Sequence, residues 1–382
     1  MVGDRRTDRA QRGIVVIGNY ELDHQHSMLQ YNEMLVEACT AWAGNAVHLA
    51  RPKVIFGQAQ GRFKKLTSVI DKYMLAPFAF PKATLALIGD QGLALYLPFL
   101  RARTKLIVCH DLIAHLVMIG RLPGWQPSRL GRWLQRANMH GLKQADHVIC
   151  VSDATRRDFL DLTGMAPEKV SVVHNCLPPA IEEFAGQPRI PLAARTSDIL
   201  CFATSFYKNA ELSIEVFARA RARLPESTRL MVIGLDIDRA EKLSRSLGID
   251  DKVVWLKRVP NDTLHEIYRT VGALLFPSRY EGFGWPILEA QAFGLPVVTS
   301  DVASLPEVAG AGAIIAPLDA SKMAEALVKV FSERACAEGL VERGYENLKR
   351  FDRKGWLKSF SALLDGQYSR NAGNAEMEKT AV

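Results

Sequence analysis

The chain has 382 residues, enough for two ordinary domains with complete cores. Apolar residues make up 48% and charged residues 23%, which excludes a disordered polar chain and fits a soluble globular one. The net charge of +7 is unevenly placed: up to residue 178 there are 22 Lys+Arg against 14 Asp+Glu, or +8, and beyond it 26 against 27, or −1.

Taken along the chain, residues 1–13 are polar and basic and pass directly into Ile14-Val15-Val16-Ile17. They lack the apolar core of about 7–15 residues that a signal peptide carries, and no later run reaches the roughly 18 residues of a membrane span. The expectation is a cytoplasmic protein. Short β-branched runs predict strands at 14–18, 47–49, 83–88, 105–109, 147–151 and 170–173, with helical spacing over 29–43 and 156–162 and Ser152 as an N-cap. A second series of strands is predicted at 199–203, 229–233, 252–256, 273–276, 296–299 and 313–315. Strands alternating with helices indicate two doubly wound parallel sheets. The expected divisions are a first Rossmann-like domain over 1–178, a proline-rich linker over 179–197 and a second Rossmann-like domain over 198–350. A terminal helix over 351–368, expected to pack back on the first domain, and a disordered tail over 369–382 complete the chain. Cys39, Cys109, Cys150, Cys176, Cys201 and Cys336 show no CxxC spacing and read as reduced core residues.

Two stretches, 38–70 and 112–145, contain no acid. The second interleaves Arg121, Arg129, Arg132, Arg136 and Lys143 with Trp125 and Trp133. Such a face suits nucleic acid, an anionic membrane or an acidic acceptor, or is simply a solvated basic surface.

The most informative segment is Phe276-Pro277-Ser278-Arg279-Tyr280-Glu281-Gly282-Phe283-Gly284-Trp285-Pro286-Ile287-Leu288-Glu289-Ala290. It leaves an apolar strand, turns at two glycines and enters a helix whose start tolerates Pro286. A strand, a glycine turn and a helix N-terminus make a site for an anion such as a diphosphate. Glu281 and Glu289 bracket that turn. Like charge keeps them off a phosphate and suits them to the hydroxyls of an attached sugar and ribose, so the local chemistry points to a sugar nucleotide. The first strand ends at Gly18 without a GxGxxG fingerprint, which argues against a nicotinamide dehydrogenase. Asp23, His24 and His26 have no distant partner set that would make a metal site.

These residues resemble family 4 of the glycosyltransferases, retaining enzymes of the GT-B fold. The likeness rests on Leu230-Met231-Val232-Ile233-Gly234, Pro277-Ser278, the Glu281-x7-Glu289 pair, Gly294-x-Pro296-Val297-Val298, Ser304-x-Pro306-Glu307 and Pro317-x-Asp319. It extends more weakly to Cys109-His110-Asp111 and to the run 145–152. It implies two Rossmann-like domains facing a cleft and transfer of a hexosyl group, mannosyl among the candidates, with no cofactor or bound metal. Glu281 would contact donor-sugar hydroxyls and stabilise developing positive charge. Glu289 would accept from the ribose, and the amides of Gly282, Phe283 and Gly284 would hold the diphosphate. His110 would contact the donor sugar, and the backbone of Gly18 would approach it. The family's Arg and Lys after the first strand of the second domain are met only by Lys208; the Arg is absent, and Ser205 and helix amides would share its task.

The donors implied are GDP-mannose or a UDP-hexose. The acceptor would be a saccharide or lipid-linked saccharide in polysaccharide or glycan synthesis, with peripheral contact to an anionic inner membrane face and no nucleic acid. A non-catalytic sugar-nucleotide binder, favoured by the missing Arg, and a glycoside hydrolase, disfavoured by the glycine turn, remain open.

Overall fold

The computed structural model describes residues 13–23, 26–44, 47–56, 70–76, 80–125, 127–185, 187 and 189–380, with backbone only at His26, Met74, Leu75, Ala185 and 371–380. The basic leader 1–12, His24, the whole stretch 57–69 and the last two residues lie outside the described residues. The chain divides into two units: the described residues up to His174 together with those from Lys354, and Asn175–Arg353.

In the first unit the strands are β1 Ile14–Ile17, β2 Val47–Ala50, β3 Ala83–Ile88, β4 Ala102–Cys109, β5 His147–Cys150 and β6 Val170–Val172. All pair in parallel in the order β2-β1-β3-β4-β5-β6, with Ile14 opposite both Val47 and Leu85. Every residue of β1 and β5 is buried, because a parallel sheet is covered by helices on both faces. Chain order runs one way from β1 to β2 and the other way from β1 to β3. The switch point therefore falls between β1 and β3, where such sheets bind ligands beyond their carboxyl ends.

The second unit repeats the plan with β7 Ile199–Ala203, β8 Leu230–Gly234, β9 Val253–Leu256, β10 Ala273–Phe276, β11 Val297–Ser300 and β12 Ala313–Ala316. Its parallel order is β12-β11-β10-β7-β8-β9, which places the switch point between β7 and β10. Ile199, Cys201, Leu230 and Val232 pack with Ile214 and Phe217 of the helix Ala210–Ala220 and with Met323 and Leu327 of the helix Ala320–Ser332 in one core. Burial of each such side chain contributes about 1.5–3 kcal/mol.

Three divisions differ from the sequence expectation. The break between the units falls after His174 rather than 178. The stretch 179–197 is folded into the second unit: it carries the helix Pro179–Ala185, and Arg195 is buried because its guanidinium collects three backbone carbonyls. Finally, the terminal helix runs Arg353–Thr380, through the segment expected to be a disordered tail. Ala, Glu, Met and Lys there are good helix formers and extend a helix already anchored upstream. The anchor is a one-face stripe of Trp356, Phe360 and Leu364, all buried, with Trp42 Nε1 donating to Asp365 Oδ1 at 2.9 Å.

Burial pushes the thiols of Cys39, Cys176 and Cys201 up to about 12, so they behave as apolar core groups. Among the described residues no helix is long and apolar enough to cross a membrane.

Candidate active site

The segment after β10 is pinned from both sides. Thr299 Oγ1 donates to Phe276 O at 2.9 Å and Ser300 Oγ to Ser278 O at 2.6 Å, so the end of β11 fixes one edge. From the β7 side, Asn209 Nδ2 donates to Pro277 O at 3.1 Å and Arg279 N–H to Tyr207 O at 2.7 Å. Asn209 holds a left-handed backbone (φ 60°), which asparagine tolerates better than most residues.

The turn itself hangs on Ser304, whose hydroxyl lies 2.9 Å from Glu281 O and 2.8 Å from Phe283 O. Ser304 precedes the helix Leu305–Ala309 but makes no side-chain cap there, because its hydroxyl is used on the turn. In a trans peptide the N–H points opposite the C=O, so the amides of Gly282 and Gly284 face away from Ser304. Gly284 begins the helix Trp285–Ala292 at φ +105°, and a Cβ there would sit 3.0 Å from Leu305 Cδ2. Only glycine meets both conditions at low cost.

Glu281 and Lys208 form a largely buried ion pair. Their Oε1–Nζ distance is 2.7 Å, with exposures of only 7% and 9%. Ser278 Oγ donates to the same Oε1 at 2.7 Å. Lys208 Nζ lies 4.7 Å from the Phe276 ring centroid and 5.4 Å from that of Tyr207, so aromatic faces support the cation. Lys208 closes a 3-10 turn, Phe206–Lys208, immediately after β7. Ser205 contributes its carbonyl to that turn, at 2.9 Å from Lys208 N, while its hydroxyl takes no part in the ion pair.

Glu289 projects from the helix after the turn and accepts from Tyr268 OH through Oε2 at 2.8 Å. Tyr268 is fully buried on the helix Asn261–Thr270 and stacks on Phe293, 5.5 Å between centroids and 5° between planes. Arg195 clamps the same two helices at one end by donating to Tyr268 O, Val271 O and Phe293 O. The surrounding protein pushes the Glu289 carboxyl above its usual value, while the Tyr268 bond and the charge of Lys208 pull it back down.

In the first unit, Gly18 and His110 follow β1 and β4. Gly18 N–H donates to Ala50 O at 2.9 Å, and a Cβ on it would meet Asn32 Nδ2 at 3.0 Å. His110 Nε2 is 2.9 Å from Gly89 O, which makes Nε2 the protonated nitrogen of the neutral ring. Its backbone N–H donates to Gln91 Oε1 at 2.8 Å, and Tyr31 lies edge-on at 4.5 Å. Burial lowers its pKa, opposed by Asp90 and by the Gly89 carbonyl. The carboxylate that acts on His110 is thus Asp90 and not its sequence neighbour Asp111, whose Oδ1 accepts from Ile113 N–H at the start of the next helix. Asp90 is buried and held by Asn19 Nδ2, and Asn19 Oδ1 accepts in turn from Asn32 Nδ2 at 3.0 Å.

The structure brings Lys208, Glu281 and the Gly282–Gly284 turn together at the β7/β10 switch point. Glu289 stands one helix turn further, and Ser205 lies just outside the ion pair. Sequence reasoning gave no role to Ser278, Ser304, Tyr268, Arg195, Asn19 or Asp90. Only Ser278, in Pro277-Ser278, and Ser304, in Ser304-x-Pro306-Glu307, carried a local signal.

Two sheets of this order, each with polar groups gathered beyond its switch point, define a two-domain protein of the GT-B fold. A family model described as glycosyl transferases group 1 matches residues 191–347, and one described as glycosyltransferase family 4 matches residues 86–180. The chain is 26% identical over 265 residues to the O-antigen chain mannosyltransferase B of Escherichia coli, covering 62% of this chain and 65% of that one. It is 27% identical over 237 residues to a D-inositol 3-phosphate glycosyltransferase of Kribbella flavida, covering 56% and 54%. The aligned stretches thus span between half and two thirds of these relatives' length. Sucrose-phosphate synthase from Thermosynechococcus elongatus shares the fold with a TM-score of 0.70 at 17% identity, over 94% of this chain and 99% of that one. Residues 86–180 are thus similar to family 4 of the glycosyltransferases and residues 191–347 to group 1, so the likeness reaches both units.

Proposed function

We infer that this protein is a retaining glycosyltransferase. It moves a hexosyl group from a nucleoside-diphosphate sugar to a saccharide or lipid-linked saccharide in polysaccharide or glycan synthesis, at the cytoplasmic side of a membrane. The observation that carries the reading is the buried Lys208–Glu281–Ser278 cluster beside the glycine turn at the β7/β10 switch point.

In this reading the bond from the anomeric carbon to the diphosphate oxygen breaks, its electrons leaving with the nucleoside diphosphate. The acceptor hydroxyl oxygen bonds to the same face of that carbon, and its proton passes to the departing phosphate oxygen. Lys208 Nζ and the turn amides of Gly282, Phe283 and Gly284 oppose the charge that develops on the diphosphate. Glu281 holds a sugar hydroxyl and counters the positive charge growing at the anomeric centre. Glu289 accepts from the ribose hydroxyls. The family resemblance assigns His110 and Gly18 to the donor sugar, Ser205 to the diphosphate, and metal ions to no part of the reaction. A mannosyl or other hexosyl donor, GDP-mannose or a UDP-hexose, accords with the mannosyltransferase relative.

A second reading, a non-catalytic sugar-nucleotide binder, is favoured by one observation: Lys208 has no Arg beside it and is already engaged by Glu281. Incubation with GDP-mannose, UDP-glucose and UDP-N-acetylglucosamine, with and without EDTA, separates the two. Release of nucleoside diphosphate in EDTA supports the transferase; tight binding without release supports the binder.

Tyr268→Phe removes a hydrogen bond that favours the charged form of Glu289, so that carboxyl should rise further above its usual value. Donor binding that needs the carboxylate should then fail at a higher pH as the solution is acidified, with KM rising while kcat at high pH stays near that of the unaltered enzyme. The loss of one bond to a charged group is about 1.5–3 kcal/mol. Nucleotide titrations across pH read this directly, and superimposable pH profiles for the two proteins would contradict it.

A further inference from the structure

The helix Arg129–Leu142 connects β4 back to β5 and is only half packed. Its second half is anchored by Asn138, Met139, Gly141 and Leu142, and a Cβ on Gly141 would lie 2.3 Å from Ala94 O. None of residues 129–137 is buried. Trp133 is 59% exposed, Leu130 54%, Trp125 49% and Ile119 41%, four large apolar side chains within one short stretch. Isolated exposed hydrophobics are ordinary, but a group of them marks a contact surface.

Within the stretch 112–145 itself the charges are of one sign, and the acid that approaches it, Asp161, comes from the helix Asp153–Thr163. Arg121 is spent on Asp161, and Arg132 donates to Pro127 O. Arg129, Arg136 and Lys143 are exposed and have no carboxylate partner among the described residues. Arg129, Trp133, Arg136 and His140 follow one another at helical spacing along a single stripe. Because β4 and β5 are parallel neighbours, this helix must run back toward the start of β5. Its 14 residues extend about 21 Å, which leaves its exposed N-terminal half toward the carboxyl end of the sheet, the end that carries Gly18 and His110.

We propose that Ile119, Trp125, Leu130 and Trp133, with Arg129, Arg136 and Lys143, dock the first unit on an anionic lipid surface. Tryptophan settles at the boundary between headgroup and acyl chain, and unpaired cations beside it are drawn to anionic headgroups. A protein partner would need matching acids and a shaped apolar surface; a bilayer needs only the two properties this stretch shows. On the functional reading above, the surface delivers an acceptor held in the membrane to the ligand end of this sheet. The docking itself is testable without that reading.

The test is sedimentation of the full chain with vesicles of phosphatidylcholine alone or mixed equally with phosphatidylglycerol. Binding is expected to the anionic vesicles only, and to weaken strongly from about 0.1 M to about 1 M salt as screening shortens to about 3 Å. Trp133→Ser with Leu130→Ser, and separately Arg129→Glu with Arg136→Glu, should each reduce binding by about tenfold or more. All four positions are exposed, so unchanged thermal unfolding is expected in both variants. The proposal is overturned if the unaltered protein ignores anionic vesicles at low salt, or if either variant binds as well. It also fails if the apolar variant instead abolishes a concentration-dependent dimer, which would make the patch a self-interface. Nucleoside diphosphate release from a soluble donor should be unchanged in both variants. If vesicles bind but no donor is cleaved even by the unaltered protein, the transferase reading fails and the docking stands.

Discussion

Glu281→Gln is expected to lower turnover by roughly 10²–10³-fold while the protein remains folded. Glu281 Oε1 receives both Lys208 and Ser278 in a nearly closed environment, so its charge is already organised before any donor arrives. Glutamine keeps the volume and one oxygen for Lys208 or Ser278 but carries no charge to set against an anomeric centre turning positive. Some stability should also be lost, because the neutral amide leaves the buried Lys208 ammonium without a counter-charge, with only the Phe276 and Tyr207 rings to offset it. Single-turnover kinetics at saturating donor distinguish this from a binding defect. Full activity in the glutamine variant would remove Glu281 from the reaction.

Lys208→Met should reduce donor cleavage by a comparable factor and, like Glu281→Gln, should also destabilise the second unit. Methionine can lie against Phe276 where the lysine stem does, yet the variant leaves the Glu281 carboxylate buried with only Ser278. Breaking a buried pair from one side costs about 3–5 kcal/mol, and each kcal/mol shifts Tm by about 2–4 °C in a domain of this size. Combining Lys208→Met with Glu281→Gln should recover part of that stability, since no buried charge is then left alone. Calorimetry of the two single variants and the double variant reads the coupling. A double variant less stable than Lys208→Met would show that the pair's energetics have been misread.

The second unit's site was the more legible of the two because its chemistry is contiguous. Strand, glycine turn, both glutamates and helix start all lie within residues 273–292, so spacing alone brought them together. Lys208 was found through the family resemblance, which places a Lys after this strand, and the fold put it on Glu281 because β7 and β10 are neighbours at the switch point. What lay hidden came from other elements. Tyr268 reaches Glu289 from the preceding helix, and Arg195, within a stretch read as a linker, holds the ends of both helices. His110 was legible, but Asp90, the carboxylate that acts on it, follows the neighbouring strand β3 and is distant in sequence. In the basic stretch, composition gave the residues and only packing revealed which faced outward: Met139 and Leu142 turn in, while Leu130 and Trp133 turn out.

The most direct measurement is proton NMR of the first glycoside formed from an α-linked donor, taken before any anomeric equilibration of the product. A retaining transfer organised around Glu281 and Lys208 predicts the α anomer, with the signal absent in Glu281→Gln. A β anomer, or an α product formed equally well by Glu281→Gln, would contradict the assignment.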